Sequence, residues 1–178
     1  RVKLAGTTDN ITPEGIKATG NGSLTLPEGV FQAQKLAISN GKFNAQVTPQ
    51  QVDLSMFADP NSDELELKGK LGGNLAVAGK VDNLTPSAVT AKGNLSFSQG
   101  IDLLEQPLST AITWDGKRLN VLQARGDGLD AQGYIVLNKS FFSDIPDKLA
   151  AVEYFEFDVP QARRIELKKL RLPLPSWA

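Results

Sequence analysis

"AGKVDNLTPSAVTAKGNLSF", residues 78–97, is a rewritten copy of "AGTTDNITPEGIKATGNGSL", residues 5–24, at an offset of 73. Over residues 5–25 and 78–98, ten of twenty-one positions are identical. A weaker echo pairs "GKFNAQV", from Gly41, with "DGLDAQG", from Asp127. Self-similarity of this kind points to strand units that stack side by side, each covering the flank of the next.

Within the units, apolar and small residues recur at every second position: Val89, Ala91, Gly93, Leu95, Phe97, and again Leu129, Ala131, Gly133, Ile135, Leu137. That is the period of a half-buried strand. The parity runs through Gly93 unbroken, whereas a two-residue hairpin loop would reverse it, so Gly93 is expected in mid-strand. Glycine placed repeatedly on the apolar face relieves crowding there and predicts a sheet that curls toward that face. Strands are expected at 2–4, 16–26, 31–38, 43–47, 52–56, 65–81, 89–97, 111–122, 129–137, 154–159 and 165–174. Turns are expected at Ser39, Thr48, Ala58, Asn83, Trp114 and Gly126, and one short helix at 145–152. The predicted fold is all-β: a curled, repeat-built β-sheet, either an open groove or a flattened barrel, with at most one short helix. Residues 1–140 form the β-repeat region, and 141–178 add terminal strands and the helix to the same domain. Alternation starts at the first residues, as it would in a piece cut from a longer protein.

Composition excludes most chemistries. Nineteen Lys and Arg balance twenty Asp and Glu across 178 residues. Such a chain has no global field for nucleic acid or an anionic membrane, and a polyanion partner is disfavoured. With no Cys and no His there is no thiol nucleophile, imidazole base or usual zinc ligand. Asp59, Asn61 and Asp63 open like a calcium loop, but Glu64 stands where the turn needs Gly and Lys70 where a bidentate Glu should close it. "NLAVAGKV" has Asn74 and Val81 at key positions of a phosphate loop and reads as strand. Asp127 and Asp130 read as a turn acid and a polar-face strand acid rather than a glycosidase pair. Of the sequons at Asn10, Asn21, Asn83, Asn94 and Asn138, four are repeat-equivalent, which favours turn and register roles. No catalytic, cofactor-binding or metal-ligating residue is expected, and the chain reads as a non-enzyme.

An apolar stripe with no helix to cover it becomes either packed core or the lining of a groove. Each methylene taken from water is worth about 0.8 kcal/mol, so an aliphatic trough is a favourable track for lipid acyl chains. The candidate lining residues are Ile16, Leu24, Leu26, Leu65, Leu67, Leu71, Leu75, Val77, Val89, Leu95, Phe97, Leu129, Ile135 and Leu137. Arg163, Arg164, Lys168, Lys169 and Arg171 are a candidate patch for acidic headgroups or an acidic partner, or the charges that protect an edge strand.

The units "TPEGIKATGNGSLTL", "LAISNGKFNAQV", "VDNLTPSAVTAKGNLSF" and "ARGDGLDAQGYIVL" resemble the repeats of the TamB family, AsmA-like proteins of the bacterial envelope. The likeness is one of pattern, covers the chain to about Leu137, and is nearest to a cyanobacterial or chloroplast-type member. It implies a parent anchored in the inner membrane and a periplasm-spanning β-taco whose hydrophobic groove takes acyl chains or nascent outer-membrane β-strands. It also implies a translocation and assembly module in outer membrane biogenesis, lipid transport and protein secretion. Its partner would be an outer-membrane assembly barrel of the BamA/TamA superfamily, reached through POTRA domains. The competing expectation is a self-contained β-sandwich or β-helix binding module of glycan-binding or adhesin type. Sugar platforms need exposed aromatics, and Trp114, Trp177, Tyr134 and Tyr154 are the only Trp and Tyr.

Overall fold

The computed structural model describes residues 2–5, 12, 15–57, 69–99, 107–126, 128–138 and 152–162. The elements in chain order are β1 (Val2–Ala5), β2 (Lys17–Leu26), β3 (Gly29–Ser39), β4 (Lys42–Gln50) and β5 (Val52–Asp53). They continue with β6 (Lys70–Lys80), β7 (Thr90–Phe97), β8 (Leu108–Trp114), β9 (Arg118–Gly126), β10 (Leu129–Leu137) and β11 (Val152–Ala162). Short 3-10 turns cover Leu54–Phe57 and Pro86–Ala88. All strands belong to one antiparallel sheet that follows chain order from β1 to β11, with β5 off that path as a third partner of β6, beside β4 and β7. β1 and β11 are its two edges, so the sheet is open and the barrel alternative does not form.

The sequence repeat is a repeat of register. β1 pairs with β2 through Val2↔Gly20, Lys3↔Thr19, Leu4↔Ala18 and Ala5↔Lys17. Adding 73 to every number gives Leu75↔Gly93, Ala76↔Lys92, Val77↔Ala91 and Ala78↔Thr90, which is the pairing of β6 with β7. The connections match too: Gly15 N–H donates to Thr12 O at 3.0 Å, and Ala88 N–H donates to Thr85 O at 2.9 Å. Asn83 Oδ1 accepts from the Thr85 hydroxyl (2.8 Å) and backbone N–H (3.3 Å), an Asx turn that ends one strand and aims the next. Asn21 Oδ1 accepts from the N–H of Lys35, whose φ of 51° marks a bulge in β3. These sequon asparagines thus set turn and register.

Several boundaries differ from the sequence expectation. The run 111–122 is two strands, β8 and β9, divided at the turn expected from Trp114, where Asp115 Oδ1 accepts from the N–H groups of Lys117 and Arg118. The turn expected from "TPQQ", 48–51, narrows to its last residue: β4 runs to Gln50 and the chain bends at Gln51, whose φ is 52°. Residues 54–56 leave the expected strand for a 3-10 turn, Leu54–Phe57. Val152, placed in a helix by sequence, opens β11 opposite Leu137. The rest of that helix and the strand at 165–174 lie outside the described residues.

Candidate functional site

Cross-strand partners share a face of a sheet, so the register fixes the two sides. Leu71, Gly73, Leu75 and Val77 of β6 oppose Phe97, Leu95, Gly93 and Ala91 of β7. Those in turn oppose Leu108, Thr110, Ile112 and Trp114 of β8. The same side continues through Gly126 to Leu129 and through Leu119 to Ile135. In the other direction it passes through Ala45 and Val47 of β4 and Phe31 of β3 to Leu24 and Leu26 of β2. Ile16 and Val89 directly precede β2 and β7 and keep the parity, and Leu137 ends β10 on it. The structure therefore brings Ile16, Leu24, Leu26, Leu71, Leu75, Val77, Val89, Leu95, Phe97, Leu129, Ile135 and Leu137 onto one face. Leu65, Leu67 and the basic residues Arg163, Arg164, Lys168, Lys169 and Arg171 lie outside the described residues, as do Asp59, Asn61, Asp63 and Asp127.

Every buried strand side chain among the described residues falls on this face, as an inward curl requires. Its burial is graded. At the end where β6 starts and β7 finishes, Val52, Leu54 and Leu71 form a closed cluster with Phe31, Leu95 and Phe97 packed on it. Toward the sheet margins it opens: Leu24 is 56% exposed, and on β11 Phe155 is 66%, Phe157 45% and Val159 44% exposed. Extensive contacts among the described elements join hydrogen-bonded neighbours and, beyond these, β3 with β5. One polar group interrupts the stripe. The Thr110 hydroxyl is buried between Leu108 and Ile112 with no hydrogen-bond partner.

The opposite side is polar and its charges are segregated, a feature that whole-chain composition hides. Among the described residues, the only strand carboxylate from β1 through β9 is Asp53. Lys70 Nζ meets its Oδ2 at 2.7 Å, and that hydrogen bond, with one from Ser55 N–H, lowers the Asp53 pKa to about 2. Acids return only at the far margin. Asp130 of β10 faces Arg125 at 3.5 Å, and β11 carries Glu153, Glu156 and Asp158. There Tyr134 donates its hydroxyl to Glu156 at 2.9 Å, and the Arg118 guanidinium lies 3.6 Å from the Tyr134 ring centre.

A cavity of about 580 Å³ opens on the polar side over β3, β4, β6, β7 and β8. Its floor exists because β6 presents Ala76 and Ala78 between longer neighbours, Gln46 and Asn44 on one flank and Lys92 and Thr90 on the other. Sequence reasoning missed these residues. The signal that could have found them is the absence of Asp and Glu from the alternating runs 16–26, 31–38 and 89–97, which keep Lys17, Lys35 and Lys92. Trp114 Nε1 donates to Pro86 O at 2.8 Å and so ties β8 to the repeat connection. Among the described residues, no group of three or more acidic side chains is arranged to hold a metal ion, and no helix is long and apolar enough to cross a membrane. Comparison with protein-family models, curated proteins and solved structures gives no match.

Proposed function

We propose that this chain is a non-enzymatic segment of a TamB-like, envelope-spanning sheet whose apolar face accepts lipid acyl chains or the apolar side of nascent outer-membrane strands. The observation that carries the reading is the single apolar face continuous from β2 to β11 and opening onto exposed Phe155, Phe157 and Val159. Leaving one such side chain in water forgoes roughly 1.5–3 kcal/mol, so a stripe of them at a margin favours an apolar occupant or neighbour. Repeat units in one register extend such a face along the array, which suits a conduit between membranes better than a closed pocket. In this reading the parent is anchored in the inner membrane, the segment lies in the periplasm, and docking goes to POTRA domains of an outer-membrane assembly barrel.

The test is lipid retention. The protein purified without detergent is expected to carry acyl lipids detectable by native mass spectrometry and by solvent extraction. Leu95→Asp places a charge in the middle of the face and is expected to reduce retained lipid at least tenfold. Lipid held equally by the variant, or absent from the wild type when vesicles are supplied, would reject the assignment of this face. A self-contained binding module predicts that second outcome, with Val52, Leu54 and Leu71 serving only as core.

A further inference from the structure

We propose that the polar-side cavity over β6 is a binding site for an anionic saccharide, a hydroxyl-rich ring or short chain bearing carboxylate or phosphate. The shape comes first. Strands are spaced about 4.8 Å apart, so β4 and β7 stand about 10 Å from each other across the alanine floor of β6, wide enough for one sugar ring. The floor is flat because Ala76 and Ala78 have nothing beyond Cβ, and the walls are Asn44 and Gln46 facing Thr90 and Lys92.

The donors and acceptors suit hydroxyl groups. Among the described residues the amides of Asn44 and Gln46 make no side-chain hydrogen bond, so each offers both a donor and an acceptor. Thr90 donates its hydroxyl to Ala78 O at 3.3 Å and keeps its lone pairs. Thr113 accepts from Asn120 Nδ2 at 3.0 Å and keeps its proton. The threonines thus present opposite polarity to a ligand.

The charge selects an anion. Lys35 and Lys92 line the cavity, no carboxylate does, and neither lysine has an ion-pair partner among the described residues. Lys42 and Lys80, outside the lining, are direct cross-strand partners two residues along from Asn44 and Ala78 on the same side. Like charges in that position are destabilising, a cost that a nearby anion lowers. The bulge that sets Lys35 at φ 51°, held by Asn21, adds a charge from β3 to the rim. The site is separate from the apolar face and stands whether or not that face carries lipid.

Calorimetric titration of the full chain with tetragalacturonate and with glucose 1-phosphate, against maltotetraose and inorganic phosphate, tests the proposal. At least one anionic sugar is expected to bind at least tenfold more tightly than both the neutral oligosaccharide and phosphate alone. That affinity is expected to fall at least fivefold between 50 and 500 mM salt, as screening of exposed charges requires. Lys92→Gln and Lys35→Gln are each expected to weaken it about threefold or more. Ala78→Leu, which fills the floor at a partly exposed strand position, is expected to abolish it while the far-ultraviolet circular dichroism stays unchanged. Equal binding of maltotetraose, equal binding of phosphate, unaltered affinity in Ala78→Leu, or no binding of either anionic sugar would each overturn the site.

Discussion

Gly93 lies directly opposite Leu75 across the β6–β7 ladder with φ at 155°, and a Cβ added there would run into the carbonyl oxygen of Asn74. Gly73, opposite Leu95, meets Asn94 in the same way from the other strand. The two strands approach closely at these points because neither glycine carries a side chain, and the apolar face bends there. Gly93→Ala combines a backbone clash with an unfavourable φ and is expected to cost about 1–3 kcal/mol. Gly22→Ala, where an added Cβ meets nothing within 4 Å, is expected to stay within about 0.5 kcal/mol of wild type. Urea unfolding midpoints compare the two, and equal midpoints would remove the close-approach argument.

Tyr134 donates to Glu156, and the carboxylate acceptor holds the phenol proton, raising its pKa from 10.0 to about 12. A raised folded-state value means the contribution to stability is complete below pH 10 and is lost as pH climbs toward 12. The chain has two tyrosines, so Tyr154→Phe leaves one phenol to follow. Its absorbance at 295 nm is expected to rise above pH 10, because Glu156, the largest cause of the shift, remains. Adding Glu156→Gln to that variant is expected to bring the midpoint back toward 10, and a midpoint that does not move would show the hydrogen bond absent in solution.

Thr110 sits on the apolar face opposite Leu95, buried, with its hydroxyl unpartnered. An unsatisfied buried hydroxyl costs roughly 1–3 kcal/mol, and an apolar group of the same shape avoids that cost. Thr110→Val is therefore expected to raise stability by about 1 kcal/mol. Thermal unfolding measures it, and a clear loss of stability would mean the hydroxyl is satisfied in solution.

The face assignment was legible in the sequence because strand parity is a local property. Leu75, Leu95 and Leu129 needed only alternation to be placed together, and Gly93 needed only an unreversed parity to be put inside a strand. The repeat offset carried further than its identities suggested, since it preserved every pairing between β1 and β2 in β6 and β7. What escaped was set by single hydrogen bonds or by neighbours far off in sequence. Val152 opens β11 opposite Leu137, a pairing set by a neighbour fifteen residues back that local periodicity does not register. The cavity escaped because its floor, Ala76 and Ala78, looks unremarkable in β6. It becomes a valley only when Asn44 is brought beside Ala78 from 34 positions earlier in the chain. Net charge misled in the same way, averaging the lysines of β3, β4, β6 and β7 with acids elsewhere in the chain, Glu153, Glu156 and Asp158 of β11 among them.

The open margin offers the last test. Phe155 and Phe157 oppose Ile135 and Gly133 and stand on the outermost described strand, 66% and 45% exposed. Side chains that exposed contribute little to folding, yet they extend the apolar face to its edge. The double substitution Phe155→Ser and Phe157→Ser is expected to change stability by less than about 1 kcal/mol, in line with substitutions away from the core. Binding of the apolar dye bis-ANS and the amount of co-purified lipid are both expected to fall at least threefold. If stability instead dropped by several kcal/mol, these rings would be core residues, and the sheet would close over its apolar side. If stability held and dye and lipid stayed constant, apolar ligands would enter elsewhere on the face, at the Leu24 margin of β2.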